Sequence, residues 1–213
     1  MRIFYDVDTQ NDFMNKDGAL YVPDAESIKS KIKLLTEFAE NNKILIIGSV
    51  DQHFGNEKYK EREGELKKWG GIFPEHCMSG TFGQKKISET STSRLIFHPH
   101  FVDNSIDYEI FNTTLKENSN LFFEKQSYNV FTNPAISAFL EKANVKESIV
   151  YGVATDYCVK AAVLGMQQKG IQCYVVEDAI KGVFPESTKS ALEEMINSGA
   201  RLVTTKQIIE GKI

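Results

Sequence analysis

The amino-acid sequence predicts an α/β protein whose sheet is doubly wound and mostly parallel, with helices on both faces. Two observations carry this prediction: strand-like and helix-like segments alternate along the chain, and one of the former contains the apolar run Ile44-Leu45-Ile46-Ile47. Such alternation is typical of βαβ units, and continuous apolar strands suit a parallel sheet covered on both sides. The 213 residues suffice for a sizeable core and are expected to form a single domain over residues 1–213.

Six segments are predicted to form strands, because each is a short run rich in β-branched, aromatic or other apolar residues. They are residues 2–7, 43–50, 121–123, 148–154, 171–176 and 201–203. Three further segments are predicted to form helices, two of them because apolar residues recur three and four positions apart. They are residues 25–40, 156–169 and 186–197. Gly170 and Gly199 follow the last two segments and are placed to end them.

Two segments lack a clear periodicity. Residues 56–68 are densely charged and are expected to form a solvated loop or a short surface helix. Residues 95–119 are expected to form a long surface excursion, and loops of such length are often functional or mobile.

The composition excludes several classes of protein. The formal net charge is -4 and no lysine-rich stripe is present, which argues against a nucleic-acid partner. No apolar run approaches the roughly 20 residues that a membrane span needs, and no segment resembles a signal peptide. The three cysteines form no disulfide framework and are expected to be free thiols. The sequence therefore predicts a cytoplasmic protein.

A cysteine stands where a strand-like segment passes into a helix-like one. Cys158 follows Gly152 by six residues, at the predicted start of a helix, where backbone N–H groups are unpaired and the dipole is positive. A thiol there is expected to have a depressed pKa and to be a good nucleophile, and the N–H groups can hold a developing oxyanion. The alternative is a small buried hydrophobe, which is the interpretation we favour for Cys77 and Cys173.

Two charged residues follow predicted strands closely. Asp8 stands just past the first strand, and Lys125 follows the apolar run of residues 121–123. Sites in parallel α/β sheets form at the carboxyl ends of strands, so both side chains can reach a cleft. The alternatives are a turn residue for Asp8 and a surface lysine for Lys125.

A third group of residues has the chemistry of metal ligands. Asp51 and His53 are two positions apart on an extended segment and therefore point the same way, and His76 lies farther along the chain. One carboxylate and two imidazoles suit zinc, iron or manganese. The alternative is an ordinary hydrogen-bonded polar loop.

Together these segments resemble the nicotinamidase and isochorismatase-like family of cysteine hydrolases. Any one matching string is weak, whereas five in the family's order, between residues 8 and 160, are specific. The strings are Asp8-x-Gln10-Asn11-Asp12-Phe13, Asp51-x-His53, Pro74-x-His76-Cys77-Met78-x-Gly80-Thr81, Glu124-Lys125 and Gly152-Val153-Ala154-Thr155-Asp156-Tyr157-Cys158-Val159-Lys160.

The resemblance implies an amidohydrolase that forms a thioester. Asp8, Lys125 and Cys158 would be its catalytic triad, with Cys158 as nucleophile and Asp8 as general base. The N–H groups of Ala154 and Cys158 would form the oxyanion hole, next to a non-proline cis peptide bond between Val153 and Ala154.

The resemblance also implies one bound divalent metal ion, zinc foremost, with iron or manganese as alternatives. Asp51, His53 and His76 would be its ligands. A fourth ligand would come from the charged segment or would be water. The candidates in that segment are Glu61, Glu63 and Glu65.

The walls of the substrate pocket are expected to be aromatic, formed by Phe13 with Phe73 or Trp69. Two departures from the family pattern affect this expectation. Gln52 stands where similar nicotinamidases usually have tryptophan, and the single tryptophan, Trp69, lies four residues before Phe73.

The implied partner is a small-molecule amide, with nicotinamide as the foremost substrate, and a homo-oligomer is left open. Three alternatives stay open at this point. One is an amidase for ureides or aliphatic amides, whose relatives often lack the Asp-x-His pair. Another is a vinyl ether hydrolase, whose relatives commonly lack the cysteine. The third is a binding protein that keeps this fold without turnover.

Overall fold

Seven strands form one sheet, which the computed structural model describes with its helices over residues 1–92 and 94–213. The strands are β1 Arg2–Val7, β2 Ile46–Asp51, β3 Leu95–His98, β4 Asn120–Lys125, β5 Glu147–Val153, β6 Gln172–Lys181 and β7 Arg201–Val203. Their order is β3-β4-β2-β1-β5-β6-β7, and every neighbouring pair is parallel. The predicted fold class is confirmed.

Helices cover both faces of this sheet. They are α1 Asn11–Met14, α2 Lys29–Asn41, α3 Tyr108–Glu117, α4 Pro134–Lys142, α5 Lys160–Gln168, α6 Pro185–Asn197 and α7 Thr205–Ile209. Residues of α3, α4, α5 and α6 share one hydrophobic cluster, and residues of α2 and α7 belong to a second cluster. Among the described residues, no helix combines the length and the apolar character needed to cross a bilayer.

Strand β1 shows why the sheet has two cores. Ile3, Tyr5 and Val7 belong to the first cluster, whereas Phe4 belongs to the second. Successive side chains of a strand point to opposite faces, so a strand in the middle of the sheet must be apolar at nearly every position. This is the pattern from which the sequence predicts a covered parallel sheet.

The prediction of a surface excursion over residues 95–119 was wrong, because this segment contains β3 and α3. Strand β3 has four residues and lies at the edge of the sheet, where Phe97 is largely exposed, so its pattern is short and incomplete. Helix α3 begins after Asp107, whose side chain accepts hydrogen bonds from the N–H groups of Glu109 and Ile110. Such capping satisfies the first free donors of a helix.

The predicted helix over residues 156–169 begins differently from expectation. Residues Thr155–Val159 form a turn of π-helix, and α5 follows directly. Turns of π-helix inside helices occur frequently at functional sites. The sequence prediction also omitted α4, which Asn133 caps by accepting a hydrogen bond from the N–H of Ala135.

The topology brings the carboxyl ends of four adjacent strands together. Asp8 follows β1, Asp51 ends β2, Lys125 ends β4, and Cys158 lies on the turn after β5. These strands, in the order β4-β2-β1-β5, are four of the inner strands of the sheet, and all run in the same direction. The four side chains therefore meet at one edge, as is typical of sites in parallel sheets.

A buried ion pair joins strand β1 to the loop segment that contains Lys86. The Lys86 ammonium lies 2.7 Å from Oδ2 of Asp6 and donates to Thr9 Oγ1 at 2.8 Å. Both charged side chains are almost completely buried. Burial lowers the pKa of Lys86, and the Asp6 carboxylate opposes this effect.

The substitution Lys86→Met is expected to lower the free energy of unfolding by about 3–5 kcal/mol, because it leaves the Asp6 carboxylate buried without a counter-ion. Lys85→Met is the matched control, since Lys85 is adjacent and exposed, and its cost should stay within about 0.5 kcal/mol. Urea unfolding of the three proteins measures the difference. Equal losses of stability in the two variants would show that the ion pair contributes nothing.

Candidate active site

Three residues that the sequence places far apart converge at the carboxyl edge of the sheet. The Lys125 ammonium lies 2.9 Å from Oδ2 of Asp8 and 3.6 Å from Sγ of Cys158. Asp8 and Lys125 are completely buried, whereas Cys158 is partly exposed and lines a cavity. A carboxylate, an ammonium and a thiol are thus arranged around one point.

The Lys125 ammonium has a second carboxylate partner. It also donates to Oδ1 of Asp51, the last residue of β2. Burial alone would lower the pKa of Lys125, but the Asp51 and Asp8 carboxylates raise it well above its ordinary value. Burial alone would raise the pKa of Asp51, yet the Lys125 charge and the nearby imidazoles of His53 and His76 bring it well below its ordinary value. Lys125 therefore stays charged at neutral pH.

The expectation of a depressed thiol pKa was wrong. Burial raises the pKa of Cys158 well above its ordinary value; the Lys125 ammonium opposes this, and the Asp8 carboxylate adds to it. Burial also raises the pKa of Asp8, which the nearby Lys125 charge offsets only in part. The resting cysteine is thus a thiol that faces a carboxylate of increased basicity, and the position at a helix start does not outweigh desolvation.

The turn that carries Cys158 begins at a cis peptide bond between Val153 and Ala154, as the family resemblance implies. The carboxylate of Asp156 lies inside this region and holds it to the start of α6. It accepts hydrogen bonds from the N–H groups of Val183 and Phe184 and from the Ser187 hydroxyl. Asp156 stands in the motif of residues 152–160, and its place two residues before the cysteine was the available signal for this role.

Gln10 is a second motif residue whose role the sequence did not reveal. Its side-chain amide is completely buried and pairs with the backbone of Asp51 in the manner of a neighbouring strand. Oε1 accepts from the Asp51 N–H at 2.7 Å, and Nε2 donates to the Asp51 carbonyl at 2.8 Å. Nε2 also donates to the carbonyl of Gln84. Gln10 thereby fixes the residue that contacts Lys125.

Beside Asp51 lies a group of four residues that could hold a metal ion. Asp51, His53, Glu65 and His76 each offer one ligand atom, and these atoms all lie within 4.8 Å of one another. Nε2 of His76 is 3.4 Å from Oδ2 of Asp51, and Nε2 of His53 is 3.6 Å from Oε1 of Glu65. Two carboxylates and two imidazoles suit a divalent transition-metal ion.

The hydrogen bonding of the two imidazoles fits a bound cation. His53 is completely buried, yet neither of its ring nitrogens has a hydrogen-bond partner among the described residues. Nδ1 of His76 lies 2.8 Å from the Pro74 carbonyl, which leaves Nε2 directed towards Asp51. A carbonyl on the far nitrogen is the usual support of a metal-binding histidine. The residues therefore fit a divalent metal ion.

Of the three glutamates proposed as a fourth ligand, the structure places Glu65 in this group. Glu61 is exposed. Glu63 is buried, but its carboxylate accepts hydrogen bonds from the N–H groups of Phe54 and Gly55, which follow His53. The charged segment is therefore not merely solvated, as the sequence suggested, because alternate residues of it turn inwards over the metal ligands.

A cavity of about 60 Å³ opens directly above Cys158. Its lining includes Asp51, Glu65 and His76 of the metal group, and also Ala154. The remaining walls are mostly aromatic or aliphatic. They include Phe13, Tyr21, Phe73, Tyr128, Tyr157 and Val183.

The aromatic walls are packed against one another. The ring of Phe73 lies edge-on to Tyr157 at 5.5 Å, and Phe13 lies 5.4 Å from the imidazole of His76. Tyr128 completes the rim, and its N–H donates to Oε2 of Glu65 at 3.1 Å. The cavity thus has a mostly apolar lining that also contains the Cys158 thiol and three residues of the metal group.

Phe13 and Phe73 line the cavity as predicted, but Trp69 does not line it. The indole N–H of Trp69 lies 3.4 Å from Oε2 of Glu63, and the ammonium groups of two lysines lie near its ring. The indole therefore contacts the buried Glu63 carboxylate and takes no part in the cavity lining. Gln52 also lies outside the cavity lining, where its amide reaches Glu124 and Ser79.

The chain is similar to known proteins along nearly its whole length. The family model described as "Isochorismatase domain" matches residues 6–207 of the chain. The nicotinamidase of Escherichia coli is 28% identical over 211 residues, which cover 93% of this chain and 92% of that protein. The nicotinamidase/pyrazinamidase of Mycobacterium tuberculosis is 28% identical over 205 residues, which cover 95% of this chain and 98% of that protein.

Among solved structures, the pyrazinamidase of Pyrococcus horikoshii in complex with zinc has a similar fold. It superimposes with a TM-score of 0.75 at 26% sequence identity, and the match covers 95% of this chain and 98% of that one.

The substitutions His53→Ala, His76→Ala and Glu65→Ala are each expected to lower the amount of bound metal, because each leaves the set of ligands incomplete. Glu61→Ala is the control, since its carboxylate is exposed and its loss leaves the group intact. Elemental analysis of proteins purified without chelator measures the metal content per chain. A full complement in all three variants would exclude these side chains as ligands.

Proposed function

This chain belongs to the isochorismatase domain family, and we propose that it is a cysteine amidohydrolase that converts nicotinamide to nicotinate and ammonia. The observation on which the proposal rests is that a thiol, a carboxylate and an ammonium meet beside a cavity that Cys158 lines together with metal-ligating side chains. Nicotinamidases that are 28% identical along nearly the whole chain support the choice of substrate.

The first step forms a bond between Sγ of Cys158 and the carboxamide carbon. As Sγ attacks, its proton passes to Oδ2 of Asp8, which acts as general base. The Lys125 ammonium, 3.6 Å from the sulfur, stabilises the negative charge that develops there. The raised pKa of Asp8, which burial causes, makes this carboxylate a better acceptor of the proton.

The carbonyl oxygen becomes an oxyanion in this step. The proposed donors to it are the N–H groups of Ala154, which precedes the π-helical turn, and of Cys158, which lies within that turn; both residues line the cavity. One preorganised donor of this kind is worth about 3–4 kcal/mol in comparable sites.

The intermediate then loses ammonia. Asp8 returns its proton to the leaving nitrogen, the carbon–nitrogen bond breaks, and a thioester on Cys158 remains. In the second half of the reaction, Asp8 takes a proton from water as that water attacks the thioester carbon. The carbon–sulfur bond breaks, the acid departs, and the proton returns from Asp8 to sulfur.

Asp51, His53, Glu65 and His76 would hold a divalent cation; we propose zinc, with iron or manganese as alternatives. When bound, it supplies an electrophilic position that can accept a ring nitrogen of the substrate or polarise water. Phe13 and the other aromatic residues of the lining would pack against the ring of the substrate.

Nicotinamide is expected to be hydrolysed with a kcat/KM at least about a hundredfold higher than that of benzamide. The two amides have the same size, but benzamide offers no ring nitrogen to the metal end and so is not aimed at the thiol. A misplacement of about 1 Å can cost on the order of a hundredfold in rate. Ammonia release from the metal-loaded protein measures both constants.

The ratio of kcat/KM for nicotinamide to that for benzamide should be smaller in His53→Ala, because a variant without bound metal can anchor neither substrate. Pyrazinamide, which has a nitrogen in the equivalent place, serves as a positive control. Equal kcat/KM values for nicotinamide and benzamide in the metal-loaded protein would contradict nicotinamide as the substrate, while leaving a cysteine amidase of other specificity.

A further inference from the structure

A buried serine lies beneath the proposed general base. Ser49 is in β2, two residues before Asp51, and only 1% of it is exposed. Its hydroxyl donates to Oδ1 of Asp8 at 2.7 Å. Its backbone carbonyl accepts a hydrogen bond from the N–H of Asp8 at 3.1 Å. Ser49 therefore binds both the main chain and the side chain of Asp8.

The two oxygens of the Asp8 carboxylate have different surroundings. Oδ1 accepts from Ser49, whereas Oδ2 lies 2.9 Å from the Lys125 ammonium, which is also 3.6 Å from Sγ of Cys158. The terminal torsion of an aspartate is broad, so packing alone does not fix which way the carboxylate faces. A hydrogen bond to one oxygen determines the direction of the other.

Asp8 needs such support because of its position in the chain. It follows the last residue of β1 and has a left-handed backbone conformation, with φ of 49°. It is also completely buried, so water does not replace a missing partner of its carboxylate. A buried acceptor without a donor is costly, and the carboxylate would turn to find one.

We infer that Ser49 is a positioning residue, which occupies Oδ1 of Asp8 and so keeps Oδ2 facing the thiol of Cys158. This inference rests on the proposed function, in which Asp8 takes the thiol proton. Ser49 does not line the cavity and therefore does not touch the substrate. Its effect should fall on the chemical step and not on substrate binding.

Ser148 offers a matched control within the same sheet. It is a completely buried serine in β5, and its hydroxyl has no hydrogen-bond partner among the described residues. It lies near the amino end of its strand, opposite Ile3, and so far from the catalytic edge. Like Ser49→Ala, Ser148→Ala removes one buried serine hydroxyl, but it leaves the hydrogen bonds of Asp8 unchanged.

The test compares Ser49→Ala and Ser148→Ala with the unaltered protein in its metal-loaded form, using ammonia release from nicotinamide. Ser49→Ala is expected to lower kcat by about ten- to a hundredfold, as small misplacements of a catalytic group do, with KM within about threefold. Ser148→Ala should keep both constants. An unchanged kcat in Ser49→Ala, or equal losses in the two variants, would overturn the inference.

A second readout needs no amide substrate. Iodoacetamide forms a carbon–sulfur bond with Cys158 as iodide leaves, and Asp8 takes the thiol proton. Alkylation at neutral pH, followed by peptide mass mapping, should be about tenfold slower or more in Ser49→Ala and unchanged in Ser148→Ala. The unaltered protein and both variants could fail to hydrolyse nicotinamide while only Ser49→Ala is alkylated more slowly. That result would contradict the proposed substrate and support the role of Ser49. Equal alkylation rates would refute that role.

Discussion

The ammonium of Lys125 is shared by two buried carboxylates, those of Asp8 and Asp51. Two carboxylates so close to each other do not both ionise in a buried place unless a cation lies between them. Removing one member of such a group leaves an uncompensated buried charge, which costs several kcal/mol. The same ammonium lies 3.6 Å from Sγ of Cys158. The Lys125 charge therefore links Asp8 and Cys158, the proposed general base and nucleophile, to Asp51 of the metal group. The sheet must bring all of these residues to one edge.

The parallel sheet meets this requirement through strand order. Because β4, β2, β1 and β5 are adjacent and run in one direction, their carboxyl ends bring together residues that are distant in sequence. Side chains that do no chemistry then fix the backbone around them. The Gln10 amide pairs with the N–H and carbonyl of Asp51, and the Asp156 carboxylate ties the turn of Cys158 to the start of α6.

Apolar runs predicted the strands well, since each inner strand is buried on both faces, and residues at strand ends supplied the members of the site. What the sequence could not give depends on contacts across the fold. The pKa of Cys158 rises because burial outweighs the nearby ammonium, and burial is not visible in a motif. Glu65 rather than Glu61 joins the metal group because the charged segment folds back over β2. Trp69 turns away from the cavity because Glu63 accepts its indole N–H.

The central claim is that Cys158 is the nucleophile, and the rate of ammonia release by Cys158→Ala tests it most directly. Cys173→Ala is the matched control, because Cys173 is completely buried in β6 among the hydrophobic core. The account predicts that folded, metal-loaded Cys158→Ala loses activity by at least about a thousandfold, since the attacking atom is absent. Cys173→Ala should lose stability more than activity. Turnover by Cys158→Ala at a rate comparable with that of the unaltered protein would contradict the account.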